Sequence, residues 1–449
     1  MPATPGDGHQ QADTGELKAG QEGGDEQHEQ TDEERMLEEI AQQKELLDAM
    51  PGDSHSDICT KAPHAKKLGQ LVFKYQLTTE KKRLTSVMAK FEEEHGALYS
   101  EPCLICLEDI HVHASKNLTE CFACCGGFIC KLCAARNRNG PEIGFDKCPL
   151  CRESIVNTTA SGNAEKLLAL AKRGVAWAQT DLGKRLCLGI DEFKKEEKAG
   201  LEWINKAAAQ NYSSALHSLA ILYDGGMGSV LRKSEEKAKE LMIKSANLGY
   251  GLANSWLAES SYFGIRGFDR DQEEAYFRAS VAHTINESDG KAATLLGLWH
   301  YGGTTIPEPS PYLACYYQNI AANSGQDDGS ACLLYSQALR KLSEFLHDGR
   351  VAIPGSNVLP AMFFWLRKSR DLGYRDEREQ LKNCEIVGQS YCDNCSKKAQ
   401  AGEKFKQCSM CKAGWYCSKE CQVEAWRAGH KKDCKRAKML KFEDYLNAE

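Results

Sequence analysis

Sulfur is the element in this sequence that could do chemistry. Of 449 residues, 21 are cysteine, and most fall in two groups at short, fixed spacings. The first group reads Cys103-x2-Cys106, Cys121, Cys124, Cys125, Cys130-x2-Cys133 and Cys148-x2-Cys151. The second reads Cys392-x2-Cys395, Cys408-x2-Cys411, Cys417-x3-Cys421 and His430-x3-Cys434. A two-residue spacer lets one tight turn present two sulfurs to a single ion, and zinc takes four thiolate or imidazole ligands in a closed tetrahedron. The second group supplies eight such ligands, enough for two ions, whereas nine cysteines of the first compete for eight places. Positions four apart share one face of a helical turn, so Cys417 with Cys421, and His430 with Cys434, are expected as pairs on helices. Four zinc ions per chain, two in each group, are the expectation.

Paired thiols read as metal ligands in a reducing compartment and as disulfides in an oxidising one. The first residues, MPATPGDGHQQADTGELKAG, hold no apolar signal-like core, and the chain has no run of about 18 apolar residues. Cytoplasm or nucleus is therefore the expected location, with no membrane partner. There is no phosphate loop, no HExxH helix and no GxSxG elbow. Cys59, Cys187, Cys315, Cys332 and Cys384 stand outside the two groups; three lie in the repeat helices, where a small buried hydrophobe is the default, and none is expected as a catalytic thiol. A net charge of −6 and a pI near 6.1 give no general basic field for nucleic acid. The charge is uneven: residues 1–50 carry −11 and residues 390–441 about +8. Lys431, Lys432, Lys435, Arg436 and Lys438 read as a solvated basic helix before they read as a nucleic-acid contact.

The elements that must hold these cysteines are helical. Hydrophobic residues at 42% and charged residues at 27% allow a real core and exclude a collagen-like or wholly disordered chain. Residues 1–30 are too polar to offset their ordering entropy and are expected as a disordered acidic tail. A helical segment is expected over 31–98. Thr31 and Glu34 form a capping box there, before Met36, Leu37, Ile40, Leu46 and Leu47. A second helix is expected from about Lys66 to His95. Between the cysteine groups, over 160–383, the sequence repeats. Ala178, Ala215, Ala253, Ala292 and Ala331 are spaced by 37, 38, 39 and 39 residues. Five residues after each comes a small residue: Gly183, Ala220, Ala258, Gly297 or Ser336. Eleven residues after the first four come Gly189, Gly226, Gly264 and Gly303. Small residues let two helices approach closely, and the glycine ends the first of them in a left-handed conformation. Such a hairpin can cover its apolar face only with its neighbours, which predicts a mainly α fold, an α-solenoid, flanked by two small zinc-stabilised domains.

These repeats resemble the Sel1-like repeat, a relative of the tetratricopeptide repeat. About four units are recognisable, with a fifth interrupted by GRVAIPGSNVLP. The resemblance implies partner binding rather than catalysis. The string YCSKECQVEAWRAGHKKDC, ending at Cys434, resembles the MYND finger over 391–434, with 435–449 left as a terminal helix or tail. It implies one ion held by Cys392, Cys395, Cys417 and Cys421 and another by Cys408, Cys411, His430 and Cys434. It also implies binding of proline-containing peptides around Gln422 and Trp426, where Trp426 reads equally as the core of the small module. The Trp426 to His430 interval is one residue longer than the commonest family form.

CLICLED, GFICKLC and CPLCR resemble a RING finger over 101–156, in an all-cysteine variant with Cys125 as fourth ligand and Cys124 preferred to Cys121 as third. The resemblance implies Cys103, Cys106, Cys130 and Cys133 at one ion and Cys124, Cys125, Cys148 and Cys151 at the other. His111 and His113 are expected exposed. Ile105 and Pro149 match apolar contacts to a ubiquitin-conjugating enzyme, and Arg152 matches the position that bridges that enzyme and ubiquitin. No tryptophan follows Cys133, where many active ligases have one. Two functions are implied: a RING-type ubiquitin ligase that recruits protein partners through its repeats and MYND finger, or a noncatalytic scaffold with two structural fingers.

Overall fold

The computed structural model describes residues 31–51, 55–112, 119–139, 147–154, 159–302, 308–325, 329–347, 357–374 and 377–447. The acidic segment 1–30, His113 and Gly303 lie outside them. The fold is mainly helical. Helix α1 (Asp32–Ala49) starts at the capping box: the Glu34 N–H donates to Thr31 Oγ1, and the Thr31 N–H donates to Glu34 Oε2. Met36 and Ile40 are buried, but Leu37 and Leu46 face solvent, so the apolar stripe is narrower than its spacing suggested. Helix α2 (His55–His95) begins 11 residues before the expected Lys66 and runs through Pro63. It buries Phe73, Glu80 and Phe91 on one face.

The first finger follows, with two small antiparallel hairpins, β1 (Glu101–Pro102) with β2 (Asp109–Ile110) and β3 (Thr119–Cys121) with β4 (Phe128–Cys130), then α3 (Lys131–Asn139). Helix α4 (Ala160–Lys172) leads into five antiparallel helical hairpins. They are α5 (Ala176–Leu188) with α6 (Glu197–Ala209), α7 (Ser213–Gly225) with α8 (Glu235–Asn247), α9 (Gly251–Phe263) with α10 (Gln272–Ile285), α11 (Gly290–Gly302) with α12 (Pro311–Ala322), and α13 (Gly329–His347) with α14 (Leu359–Asp371). Helix α15 (Glu377–Gln389) leads to the second finger. It contains the hairpin β5 (Lys406–Gln407) with β6 (Trp415–Tyr416), then α16 (Lys419–Ala425), α17 (Lys431–Arg436) and α18 (Phe442–Asn447). No helix among the described residues is long and apolar enough to cross a membrane.

The repeated residues explain the hairpins. All five anchor alanines are buried. A Cβ on Gly183 would lie 2.7 Å from the Gly200 carbonyl and 2.6 Å from Ile204, so α5 and α6 touch where only glycine fits. Gly189 and Gly264 end α5 and α9 in the left-handed conformation, whereas Gly226 combines positive φ with an extended ψ of 168°. The tandem is covered unevenly. Helices α6 and α8 keep a polar outer face, but α10 and α12 are buried nearly all round. Helix α2 lies against them, with Phe73 beside Tyr312 and Tyr316, and Phe91 against Val281 and Ile285.

Between these apolar contacts sits a buried charge pair. Glu80 and Arg83 pair at 2.7 Å; Tyr317 Oη donates to Glu80 at 2.6 Å, and Arg83 donates to Ser280 and stacks on Tyr276. Burial opposes the charged Glu80, but Arg83, His300 and Tyr317 hold it far below the usual carboxylate range.

Candidate metal centres

The cysteines are placed by one recurring turn. In the first knuckle Cys103 N donates to Glu108 O and Leu107 N donates to Cys103 O, with Leu107 at φ 62°. The same pair of bonds closes the turns at Cys148 (Glu153 O, Arg152 N), Cys392 (Lys397 O, Ser396 N) and Cys408 (Gly414 O, Lys412 N). The residue after each second cysteine again has positive φ: Arg152, Ser396 and Lys412. A fifth turn of this kind carries a phenylalanine in place of the first cysteine. Phe122 N donates to Gly127 O, Gly126 N donates to Phe122 O, and Gly126 supplies the positive φ. Cys124 and Cys125 therefore sit inside a knuckle, while Cys121 lies exposed on strand β3.

The turn also tunes the sulfurs. Burial pushes Cys103, Cys148 and Cys392 up, but backbone N–H groups aimed at each sulfur bring them down to about 6, 7 and 7. Cys408 is drawn furthest, to about 3, chiefly by the Cys411 thiol, against burial, with help from His430 and the N–H groups of Cys411 and Met410. The first cysteine of each two-cysteine knuckle is thus biased toward the thiolate a metal requires.

Four groups of four ligand atoms result: Cys103, Cys106, Cys130, Cys133; Cys124, Cys125, Cys148, Cys151; Cys392, Cys395, Cys417, Cys421; and Cys408, Cys411, His430, Cys434. Within each, the atoms lie within 4.8 Å of one another. A zinc tetrahedron with Zn–S near 2.3 Å has an S–S edge of about 3.8 Å. The separations are 3.9 Å for Cys106–Cys130, 3.6 Å for Cys125–Cys148 and 3.6 Å for Cys395–Cys417. Cys411 Sγ lies 3.5 Å from His430 Nε2, close to the shorter edge expected with an imidazole. Each set thus has the ligand number, donor type and spacing that zinc takes.

Two local expectations are corrected. Cys417 is not on a helix with Cys421: Ser418 caps α16 by accepting from Cys421 N, so Cys417 lies just outside it. Arg436 is not on a solvated face. It is buried, paired with Asp433 and stacked on Tyr445. The extra residue between Trp426 and His430 is absorbed by a wide π-type turn, Trp426–His430, with Gly429 at φ 149°. Gln422 and Trp426 are both half-buried, and Trp426 packs on the core shared with the repeats while keeping part of its ring exposed. In the first finger Ile105 and Pro149 are half-buried, and His111 and Arg152 are exposed.

The residues that fasten the fingers belong to no motif of the sequence. Trp177 Nε1 donates to Gly126 O at 3.0 Å, and Lys166 pairs with Glu153, seating the first finger on α4 and α5. In the second finger the Asp393 carboxylate accepts the Trp415 N–H at 2.7 Å. Arg367 of α14 donates to the carbonyls of Cys411 and Lys412, Trp415 packs on Phe363, and the Asn319 amide donates to Leu440 O. Phe442 stands edge-on to Phe73 of α2. At Gly388 a Cβ would run into the Trp415 ring, so α15 and the finger meet where glycine is needed.

Fold and site together define a helical-repeat solenoid bearing cysteine-rich zinc-binding fingers. A family model for the MYND finger matches residues 392–434, and one for the Sel1 repeat matches 178–212, 213–250 and 290–326. An F-box protein of Arabidopsis thaliana is 25% identical over 237 residues, which are 53% of this chain and 56% of the relative. A SET and MYND domain-containing protein of Dictyostelium discoideum is 45% identical over 47 residues, 10% of this chain and 8% of the relative. The matched stretch thus spans about half the length of the first and under a tenth of the second. Among solved structures, a Sel1 repeat protein from Oxalobacter formigenes aligns with a TM-score of 0.40 and 21% identity, covering 51% of this chain and 85% of that one. This chain therefore carries a MYND finger and Sel1 repeats, modules of protein–protein interaction.

Proposed function

We propose that this chain is a protein-binding adaptor whose first finger is a RING-type module that engages a ubiquitin-charged conjugating enzyme. The repeats and MYND finger would recruit the protein to be modified. What carries the reading is the interleaving of the first two ligand sets together with what their knuckles expose. Ile105 and Leu107 border one set and Pro149, Leu150 and Arg152 the other, with Leu107 75% and Leu150 60% exposed. Large apolar side chains left in solvent on two neighbouring turns suit a protein contact. The finger would contribute orientation rather than covalent chemistry, holding the thioester in a reactive geometry, with Arg152 offering a multi-donor fork to both partners.

Four zinc ions, one per ligand set, complete the reading, with cytoplasm or nucleus as the compartment. The domain limits proposed are 31–98, 101–156, 160–383, 391–434 and 435–449. Proline-containing peptides would meet the exposed edge of Trp426 beside Gln422. One observation favours a scaffold without ligase activity: the residue after Cys133 is Ala134, 1% exposed, where an aromatic contact would be useful. The test is ubiquitin-chain formation by the zinc-loaded chain with a panel of conjugating enzymes. Chains that disappear in Ile105→Ala at unchanged zinc content support the ligase. Absence of chains across the panel, or indifference to that change, leaves the scaffold.

A further inference from the structure

Where the second finger docks on α14, a cleft of about 400 Å³ opens between them. Cys411 and Cys434 of the fourth ligand set line it, Gln422 and Trp426 do not, and Arg367 spans it from α14 to the Cys411 and Lys412 carbonyls. Phe364 and Leu372 from α14 and its end line it with Met410 from the finger turn, Leu372 being 38% and Met410 54% exposed. Scattered exposed apolar residues need no explanation, but three converging on one concavity do. Methionine, flexible and polarizable, adapts to varied apolar side chains.

The rim is basic. Lys412 and Lys438 line the cleft from the finger side, and neither has an ion-pair partner among the described residues. Lys368 lines it from α14 with its ammonium over Trp365. One carboxylate, Asp371, also lines the cleft, but it is paired with Arg370, and Glu385 is paired with Arg367, which itself lines the cleft. Three thiolates and one imidazole around a divalent ion leave a single excess negative charge, too little to neutralise the three lysines. An apolar floor with uncompensated lysines at its rim is complementary to one kind of occupant.

We infer that this cleft is a docking site for an acidic peptide segment of a partner protein that inserts one large apolar side chain between Met410 and Leu372. The inference rests on the adaptor reading but not on ubiquitin transfer, so a binding measurement judges it whether or not chains form.

The test is a selection of random 12-residue displayed peptides on the full zinc-loaded chain, followed by fluorescence anisotropy of the enriched peptides. Acid-rich peptides bearing a large apolar residue are expected. Their affinity should fall at least tenfold in Lys412→Glu/Lys438→Glu and weaken as salt rises. Both lysine side chains are exposed, so zinc content and helicity should hold. If the double variant loses zinc, Met410→Ser, at an exposed position, takes its place with the same expected loss. Peptides without acidic excess, affinities indifferent to these variants, or loss only in Trp426→Ala would overturn the cleft and leave the adaptor reading standing. No enrichment at all would count against both. A self-association that the double variant dissolves would make the cleft an interface between copies and overturn the partner.

Discussion

The N-terminal hairpins, α5 to α8, stand open to solvent on their outer face and carry the first finger along an edge, through Trp177, Gly126 and the Lys166–Glu153 pair. In the C-terminal half, α10 and α12 are covered by α2, and α12 to α14 share a single hydrophobic core with the second finger and α18. The same knuckle turn builds both fingers, so the difference lies in attachment rather than in the metal sites. An edge contact allows a finger to leave without disturbing the repeats. A shared core makes metal, finger and last hairpins one cooperative unit.

Chelation tests that contrast most severely. Structural zinc in finger peptides is worth roughly 10–16 kcal/mol. Zinc removal should unfold both fingers, and hydrogen exchange should then spread through α12 to α14 and α18 while α5 to α8 stay protected. Equal loss of protection at both ends would show that the two fingers are attached alike. A smaller effect separates the two tryptophans. Trp415→Ala should cost about 3–5 kcal/mol, by the usual cost of a large core truncation, and should lower the melting temperature of the C-terminal half. Trp177→Ala should free the first finger, seen as faster exchange in 101–139, with a lesser loosening of α4 to α7, whose apolar clusters its ring also touches.

Glu80 sharpens the account of the covered side. Glu80→Ala takes away the partner of the half-buried Arg83, which is expected to cost less than the about 3–5 kcal/mol of a fully buried pair. Protease nicking within α2 should rise before α5 to α8 are touched. The smallest effect is pH-dependent. Burial lowers His283 from 6.5 to about 4, with Glu80 opposing and Arg83 assisting the shift. The folded state holds this ring neutral, so its contribution is present above pH 6.5 and is lost as pH falls from 6.5 toward 4, by up to about 3 kcal/mol. Thermal melts of His283→Asn should show a shallower decline over that window than the parent chain.

What the sequence made legible was local and periodic. Anchor alanines near 38 residues apart specify a helical hairpin because each needs the same close approach, and four of the five Cys-x2-Cys pairs form the tight turn their spacing suggests, while Cys130 and Cys133 run from β4 into α3. The preference for Cys124 over Cys121 rests on resemblance alone; the knuckle built on Phe122, closed by the positive φ of Gly126, is visible only in the fold. Long-range covering was not. The contact of α2 with α10 and α12 joins residues some 200 positions apart, such as Arg83 and Ser280. Its only trace was that α10, unlike α6, lacks a polar outer face. Arg436 misled because a charged residue in a basic run reads as solvated until Asp433 and Tyr445 are seen around it.

Zinc counting by native mass spectrometry tests the central claim most directly, that sulfurs gathered at four points build both fingers. The parent chain should carry four ions, Cys121→Ser should retain all four, and Cys124→Ser should lose one. A chain that binds no zinc yet keeps its finger protection, or one whose thiols are joined as disulfides, would contradict it.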